Sequence, residues 1–334
     1  MPSDHVDRWL SPVPPALRRR RLREALAAQG IVVAPGADNG MTARLVEEAG
    51  FPAVYMTGSG VANSLTGKPD VGLLTLTETA MMARFLVEAT GLPVIFDADD
   101  GYGNAINVIR TVREFDAAGA SAMQIEDQVS PKRCGSIAGK EVIPAQDMVG
   151  KIQAALDARS TGPQEERMLV IARTDARGPH GLDEAIRRGR LYAAAGADMI
   201  FPDALLSAEE YARFAAEVPG PKMFNMGGYA RARTTPKLPI EDVQAMGYAL
   251  VIFPLASIRA GVRAQIDFLA GLRNRGTQYE IEHIAALEGH PVENWYDFSG
   301  IGTVRALEAR YLDPDRIAKR YETGAGYRPV LLPE

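Results

Sequence analysis

The sequence predicts an α/β protein, a (β/α)8 TIM barrel followed by additional C-terminal helices. Three observations predict this fold. Eight short apolar runs are typical of strands, and amphipathic stretches with helical spacing separate them. A repeated motif links the predicted helices to the strands that follow them. In this motif a glycine, which can adopt the left-handed conformation, ends a helix, and an apolar strand follows at once. The motif occurs at residues 48–55, 117–124, 194–201 and 245–252.

The apolar runs are continuous rather than alternating, which is typical of parallel strands buried on both faces. In chain order, the predicted strands are Ile31–Pro35, Ala53–Thr57, Val94–Ala98, Ala122–Glu126, Met168–Ala172, Met199–Pro202, Lys222–Met226 and Leu250–Pro254. The predicted helices between them include Met41–Ala49, Glu78–Ala89, Asn107–Ala118, Asp183–Ala195 and Ala208–Val218. An open doubly wound sheet is the alternative, but it usually has fewer strands and a G-x-G-x-x-G turn after the first. Here that turn reads Gly36-Ala-Asp-Asn-Gly40, which favours the barrel.

The longest gaps between predicted strands follow strands 2 and 4. They place residues 58–75 and 128–145 in loops at the C-terminal end of the barrel, where active sites of this fold lie. The second loop contains Cys134, and its glycines suit a mobile lid. We interpret the chain as one domain, with the barrel over about 22–256 and a helical extension over about 257–334, including helices at 258–272 and 304–311. The extra helices suggest packing on a neighbouring subunit, although another layer on the same subunit is equally simple.

Composition narrows the class of protein. A net charge of −5 over 334 residues argues against nucleic acid or a membrane surface as the main partner. One cysteine excludes an internal disulfide framework and suits the reducing cytoplasm. No run reaches the roughly 18 apolar residues of a membrane span, and the N-terminus lacks the apolar segment of a signal peptide. The basic run Arg18–Arg21 lies among leucines at helical spacing and is predicted to be a solvated helix face.

The predicted strand ends carry polar side chains that would converge in a barrel. They are Asp38, Tyr55–Ser59, Asp97, Asp99, Glu126, Arg173–Asp175, Asp203 and Asn225, with Pro254 after the last strand. Oxygen ligands select Mg2+, with Mn2+ as the alternative, whereas the four histidines form no zinc pattern. Mg2+ needs one or two protein carboxylates, so Asp97 and Asp99 with a water-linked third acid would suffice. Taken alone, the Asp97–Gly101 segment is equally an acidic turn, and Arg173 equally part of a structural ion pair.

The only cysteine, Cys134, lies between cations and glycines in Pro131-Lys-Arg-Cys-Gly-Ser136. Lys132 and Arg133 are expected to lower the pKa of its thiol, which would make it available for proton transfer. An exposed loop with an inert thiol is the alternative. The following Gly135–Lys140 segment resembles a phosphate-binding loop in composition, but its spacing is short and Glu141 replaces the usual Ser or Thr.

Taken together, these motifs resemble the isocitrate lyase/phosphoenolpyruvate mutase superfamily, over residues 22–312. The resemblance rests on Tyr55-x-Thr-Gly-Ser-Gly60, Asp97-x-Asp-Asp-Gly-Tyr-Gly103, Ile125-Glu-Asp-Gln128, Pro131-Lys-Arg-Cys-Gly135, Ala172-Arg-Thr-Asp-Ala176, Phe201-Pro-Asp-Ala204 and Phe253-Pro-Leu255. It implies a barrel whose C-terminal helix is swapped between partners, usually in a tetramer that is a dimer of dimers. It also implies a Mg2+ ion and small 2-oxo or 2-hydroxy acid substrates.

The resemblance also implies roles for individual residues. Asp97 and Asp99 correspond to the metal-holding pair and Asp70 to a third, water-linked acid, and Glu126 is a further metal candidate. Tyr55, Thr57, Gly58 and Ser59 correspond to the cradle of the substrate carboxylate and carbonyl. Arg173 corresponds to an arginine that binds a substrate oxygen, and Lys132 and Cys134 belong to a gating loop. The remaining substrate-binding candidates are Asp97, Gly135, Ser136, Asp203, Asn225 and Pro254.

The Lys-x-Cys-Gly signature favours one branch of the superfamily. In its carbon–carbon lyases, methylisocitrate and dimethylmalate lyase among them, this cysteine is the acid/base residue, and the mutase and oxaloacetate-decarboxylating branches lack it. The resemblance therefore implies cleavage of a malate-like 2-hydroxy acid, with Cys134, Lys132, Arg173 and Tyr55 as catalytic residues.

Two departures from the lyase pattern leave the substrate open. Ser136 replaces the usual histidine, and residues 227–236 carry Arg231 and Arg233 where a glutamate is usual. The alternatives are a P–C bond mutase or hydrolase, an oxaloacetate decarboxylase, or a metabolite-binding protein without turnover.

Overall fold

The structure is a computed structural model that describes residues 6, 9–28, 30–227, 235–322 and 326–329. Arg231 and Arg233, which the sequence analysis singles out, lie outside the described residues. Two compact units are present: Pro14–Ala260, and the described residues before and after that range. Each unit is described by itself.

The first unit is a (β/α)8 barrel, as the sequence predicts. Its strands are β1 (Val32–Ala37), β2 (Val54–Met56), β3 (Val94–Asp97), β4 (Ala122–Glu126), β5 (Leu169–Thr174), β6 (Met199–Pro202), β7 (Met223–Asn225) and β8 (Leu250–Phe253). All neighbouring strands are parallel, in the order β6-β5-β4-β3-β2-β1-β8-β7. A parallel bridge between Ile200 and Lys222 joins β6 to the residue before β7, so the sheet nearly closes on itself.

Helices follow the strands around the barrel. They are α1 (Pro15–Ala27), α2 (Gly40–Glu48), α3 (Gly58–Thr66), α4 (Leu76–Ala89), α5 (Ala105–Ala118), α6 (Ala145–Ala158), α7 (Arg177–His180), α8 (Leu182–Ala194), α9 (Ala208–Glu217) and α10 (Ile240–Ala245). Several starts have the polar caps that satisfy free backbone N–H groups. Thr75 and Glu78, for example, form a capping box at the start of α4.

Two features of the barrel differ from the sequence-based predictions. Residues 58–75 are not all loop, because α3 begins within them after the N-cap Thr57; its glycine- and serine-rich start is typical of a loop. Strand β5 continues through Arg173 and Thr174, beyond the predicted end at Ala172. Arg173 is accommodated there because carboxylates at the ends of the neighbouring strands surround its guanidinium.

The prediction of a solvated basic face on α1 is wrong for two of its arginines, because Arg18 and Arg19 are buried. The Arg19 side chain donates to the Ala120 carbonyl, 2.9 Å away at the start of β4, and pairs with Asp116 at 2.5 Å. On the same helix, Leu22 packs with the residues that fill the barrel interior. Helix α1 therefore covers the N-terminal end of the barrel, and the opposite end carries the strand-end polar residues.

Further helices follow β8: α11 (Ala256–Arg275), α12 (Thr277–Ala285), α13 (Trp295–Ser299), α14 (Ile301–Tyr311) and α15 (Pro314–Glu322). The helices predicted at 258–272 and 304–311 are confirmed with longer bounds. Within the second unit, Glu308 of α14 pairs with Arg320 of α15 and accepts a hydrogen bond from Tyr321. Exchange of these helices between subunits stays a prediction. Among the described residues, no helix has both the length and the apolar character needed to cross a membrane.

Candidate active site

The C-terminal ends of the strands surround one cavity, and most of the predicted site residues line it. Its lining residues are Tyr55, Thr57, Ser59, Asp70, Asp97, Lys132, Cys134, Gly135, Ser136, Arg173, Phe201, Asp203, Asn225, Gly227, Ile252, Pro254 and Leu255. Three predicted residues, Gly58, Asp99 and Glu126, do not line it but contact residues that do. Sequence reasoning missed the apolar members of the wall, since an apolar strand residue facing a site has the same pattern as one facing the core.

Asp97, at the end of β3, is held by four hydrogen bonds. Its Oδ2 accepts from the Tyr55 hydroxyl and from the Gly58 backbone N–H, each at 3.2 Å. Its Oδ1 accepts from the Asp99 backbone N–H and from Gln124 Nε2, each at 3.1 Å. Gln124 also lies with its Oε1 2.8 Å from the Tyr55 hydroxyl. The carboxylate thus has one orientation before any ligand binds, and Gln124 is a contributor that sequence reasoning did not assign.

Tyr55 is fully enclosed at the floor of the cavity. Burial, followed by the charge of Asp97, raises the pKa of its hydroxyl well above the ordinary value. The hydroxyl therefore keeps its proton at neutral pH and acts as a hydrogen-bond donor rather than as a base.

Lys132 brings the lid segment into contact with two acids. Its Nζ lies 2.6 Å from Asp70 Oδ1 and 2.6 Å from Asp99 Oδ1, and its side chain is 4% exposed. Burial favours the neutral amine, but the charges of Asp99 and Asp70 outweigh it and raise the pKa of Lys132. Burial and the neighbouring carboxylates Asp97 and Asp70 raise the pKa of Asp99 to about 7 despite this ammonium.

Arg173, near the end of β5, lies in a ring of carboxylates. Its Nε is 2.8 Å from Asp175 Oδ2 and 3.2 Å from Glu126 Oε2, and its Nη2 is 2.6 Å from Asp203 Oδ2. The guanidinium also lies over the Phe201 ring, 5.2 Å from the centroid. These contacts fix the orientation of the guanidinium, which lines the cavity.

The predicted low pKa of Cys134 is wrong in direction. Burial raises the pKa of the thiol, the carboxylates Asp70 and Asp203 raise it further, and a backbone hydrogen bond from Ser136 opposes this only in part. Lys132 has little effect because its ammonium is paired with Asp70 and Asp99, and Arg133 is exposed. Cys134 therefore carries its proton at neutral pH.

The donor set fits a hard divalent cation. Three cationic side chains, Lys132, Lys140 and Arg173, contact a larger set of buried acids in this site. Those acids are Asp70, Asp99, Glu126, Asp175 and Asp203. Asp97 is a further buried carboxylate beside them and has no cationic partner among the described residues. Excess buried negative charge is costly unless a proton or a metal ion neutralises it.

Glu126 also indicates that the site can accept a cation. Its Oε1 is buried and has no hydrogen-bond partner among the described residues, and burial raises its pKa well above the ordinary range. Within the described ranges, no group of three or more acidic, histidine or cysteine side chains by itself forms a metal cage. Mg2+ retains several waters and needs only one or two protein carboxylates, so the residues present still fit it.

The chain was compared with known proteins. The family model described as phosphoenolpyruvate phosphomutase matches residues 22–271. The 2,3-dimethylmalate lyase of Eubacterium barkeri is 43% identical over 291 residues, which cover 87% of this chain and 97% of that protein. The 2-methylisocitrate lyase of Aeropyrum pernix is 46% identical over 260 residues, covering 78% of this chain and 81% of that protein.

A solved structure has a similar fold. A crystal structure of phosphonopyruvate hydrolase in complex with oxalate and Mg2+ superposes with a TM-score of 0.77 and 33% identity, covering 89% of this chain and 99% of that chain. The relatives are lyases of a catalytic superfamily, which confirms the predicted enzyme class, a carbon–carbon lyase. The family model covers most of the chain, and both the identities and the coverage of the relatives are high. The chain therefore belongs to the phosphoenolpyruvate mutase/isocitrate lyase superfamily.

Proposed function

We propose that the protein is a Mg2+-dependent carbon–carbon lyase that cleaves a malate-like 2-hydroxy acid into a 2-oxo acid and a carboxylate, with Cys134 as the acid. The names of the relatives, 2,3-dimethylmalate lyase and 2-methylisocitrate lyase, support this substrate class. The single observation that carries the proposal is that a protonated thiol, the Arg173 guanidinium and the Asp97 carboxylate line the same cavity. Retro-aldol cleavage needs these three elements: a proton donor, a cationic anchor and an acid that can hold a metal.

The end of the substrate that becomes the 2-oxo acid would bind between Arg173 and the start of α3. Thr57 caps this helix, and its first turn, with Gly58 and Ser59, points its N-terminus toward the cavity wall. The N-terminus of a helix carries a partial positive charge that favours an anionic group. This arrangement supports a carboxylate subsite between the helix and the guanidinium.

The residues that would hold Mg2+ are Asp97 and Asp99, with Asp70 and Glu126 acting through water. A bound divalent cation supplies electrophilic stabilisation of the negative charge that develops on the substrate oxygens. The hydrogen bonds from Tyr55 and Gly58 orient Asp97 for this task without further rearrangement.

Cleavage breaks the C2–C3 bond and leaves its electron pair on C3, while the C2 hydroxyl loses its proton and becomes a carbonyl. Arg173 and the Tyr55 hydroxyl would orient and stabilise the oxygen end. A carboxylate that lines the cavity is available to take the hydroxyl proton. The Cys134 thiol would then give its proton to C3, and the product carboxylate leaves.

The lid segment, residues 128–145, must move for substrate to enter. The cavity measures only about 40 Å3, room for roughly three waters, whereas a malate-like acid has several times as many non-hydrogen atoms. Cys134, Gly135 and Ser136 of this segment form one side of the cavity. With the segment in this position, water is excluded from the carbanion, which supports protonation by the thiol rather than by solvent.

A substrate panel tests the proposal. Purified protein with Mg2+ is incubated with 2-hydroxy diacids, oxaloacetate and phosphonopyruvate, and release of 2-oxo acid is followed. We expect cleavage of at least one C3-alkylated malate, loss of that activity with EDTA, and a 10²–10⁴-fold lower kcat in Cys134→Ser. A Cys134→Ser variant as fast as the parent would remove the acid role from the thiol. Loss of CO2 from oxaloacetate without cleavage of any 2-hydroxy acid would replace the lyase proposal by a decarboxylase.

Two further expectations from the sequence belong to this proposal. The lone cysteine supports a reducing, cytoplasmic location. The exposed apolar side chains of α11, such as Ile266 and Leu269, support a homo-oligomer formed through the C-terminal helices. Light scattering of the purified protein tests the oligomer, and a monomer at micromolar concentration would contradict it.

A further inference from the structure

We propose that Lys140, which does not line the substrate cavity, is a positioning residue that locks the lid segment onto Arg173. The inference rests on the proposed function, in which this segment carries the acid Cys134. Sequence reasoning left Lys140 without a role, at the end of a stretch that resembles a phosphate-binding loop. In the structure its ammonium group makes two hydrogen bonds instead.

The Lys140 side chain is 5% exposed and turns back toward the cavity. Its Nζ donates to the Gly135 carbonyl at 2.7 Å and to Asp175 Oδ1 at 2.8 Å. Gly135 directly follows Cys134 in the lid segment, whereas Asp175 lies just after β5, in the barrel wall. One ammonium group therefore connects the moving element to the fixed one.

The same Asp175 also holds the substrate-anchoring arginine. Its Oδ2 accepts from Arg173 Nε at 2.8 Å, and Arg173 Nη2 lies 2.6 Å from Asp203 Oδ2. Gly135 packs directly on this pair: a Cβ on it would lie 1.7 Å from Asp203 Oδ2 and 2.5 Å from Arg173 Nη2. Gly135, Lys140, Asp175 and Arg173 thus form a closed ring of contacts.

This ring has a consequence for catalysis. If the lid opens, Lys140 must leave either Gly135 or Asp175, and in the second case Asp175 has one cation fewer. Arg173 is oriented by Asp175, so the position of the lid and the orientation of the guanidinium change together. Through Lys140, closure of the lid would therefore bring Cys134 and Arg173 into their catalytic positions at the same time. An ordinary structural ion pair would stabilise the fold without affecting lid position.

The thiol itself reports the position of the lid. Cys134 is the only cysteine, so reaction of the native protein with 5,5′-dithiobis(2-nitrobenzoate) measures this one site. We expect Lys140→Met to raise the reaction rate at least tenfold, with the parent's pH dependence of the reaction unchanged. We also expect this variant to have a kcat at least tenfold lower than that of the parent. Its KM should differ from that of the parent by less than threefold in either direction. Lys222→Met is the matched control, because Lys222 is a buried lysine at the opposite end of the barrel, and its thiol rate should equal that of the parent.

A second variant keeps the test decisive if Lys140→Met does not fold. Gly135→Ala forces the lid away from Asp203 and Arg173 by its added Cβ, and it should raise the thiol rate to a similar extent. Thiol rates within twofold of the parent in every folded variant would overturn the proposal. Absence of cleavage of any 2-hydroxy acid by the parent would instead overturn the proposed function, and the thiol rates would still decide the role of Lys140.

Discussion

The orientation of Asp97 can be tested by adding one methyl group at Gly58. A Cβ at this position would lie 2.9 Å from Asp97 Oδ2 and 3.1 Å from Asp99 Oδ1, whereas ordinary contacts begin at 3.4 Å. Gly58→Ala should therefore push the Asp97 carboxylate aside by about 0.5 Å, because its Oδ2 also accepts from the Gly58 N–H and cannot simply rotate away. A misplacement of about 1 Å costs about 10²-fold in rate, so half of it should cost roughly tenfold in kcat/KM, or about 1.4 kcal/mol.

The assay measures kcat/KM on the substrate that the panel identifies, together with Mn2+ affinity by titration. We expect both to fall about tenfold in Gly58→Ala. The matched control is Gly150→Ala in α6, where an added Cβ meets nothing within 4 Å, and where activity should be unchanged. A folded Gly58→Ala protein with kcat/KM and Mn2+ affinity within twofold of the parent would refute the reasoning, since it would show that the orientation of Asp97 is not used.

Three further predictions concern stability, pH and the hydroxyl of Tyr55. Arg19→Met should lower the free energy of unfolding in urea by about 3 kcal/mol, because it leaves the largely buried Asp116 carboxylate without its cation. Arg20→Met, which removes an exposed pair, should cost less than about 1 kcal/mol, and equal losses would contradict the difference in burial. If Cys134 is the acid, its raised pKa predicts a kcat that is full at neutral pH and falls as the pH rises through that pKa; a kcat–pH profile that rises over this range would assign the thiolate instead. Tyr55→Phe removes the donor to Asp97 and should lower kcat/KM by tenfold to a hundredfold. The free energy of unfolding should change by less than about 1.5 kcal/mol. An unchanged kcat/KM would show that the hydroxyl is dispensable.

Much of the fold follows from local patterns. Each of the eight predicted strands overlaps an observed one, because strands buried on both faces need unbroken apolar runs and glycines mark where helices end. The errors occur where burial of a polar group depends on distant partners. Arg19 is buried because backbone carbonyls and a carboxylate far along the chain accept its hydrogen bonds. Strand β5 includes Arg173 because acids at the ends of β4 and β6 lie beside it.

The candidate site was predictable in its members but less so in its chemistry. The residues that line the cavity lie at strand ends, and strand ends of a barrel converge whatever the sequence between them. The pKa of Cys134 was not predictable from Lys132 and Arg133 beside it in the sequence, because one of these cations pairs with acids and the other faces solvent.

The sequence by itself determined the parallel barrel, the end of it that carries the site, and the single thiol placed in a loop there. Apolar periodicity, glycine positions and residue identity are local properties, so they can be read along the chain. Only the tertiary structure decided that Cys134 keeps its proton, that Gln124 holds Asp97, and that Lys140 joins the lid to Asp175. Burial and charge pairing depend on distances between residues remote in sequence, and folding alone sets those distances.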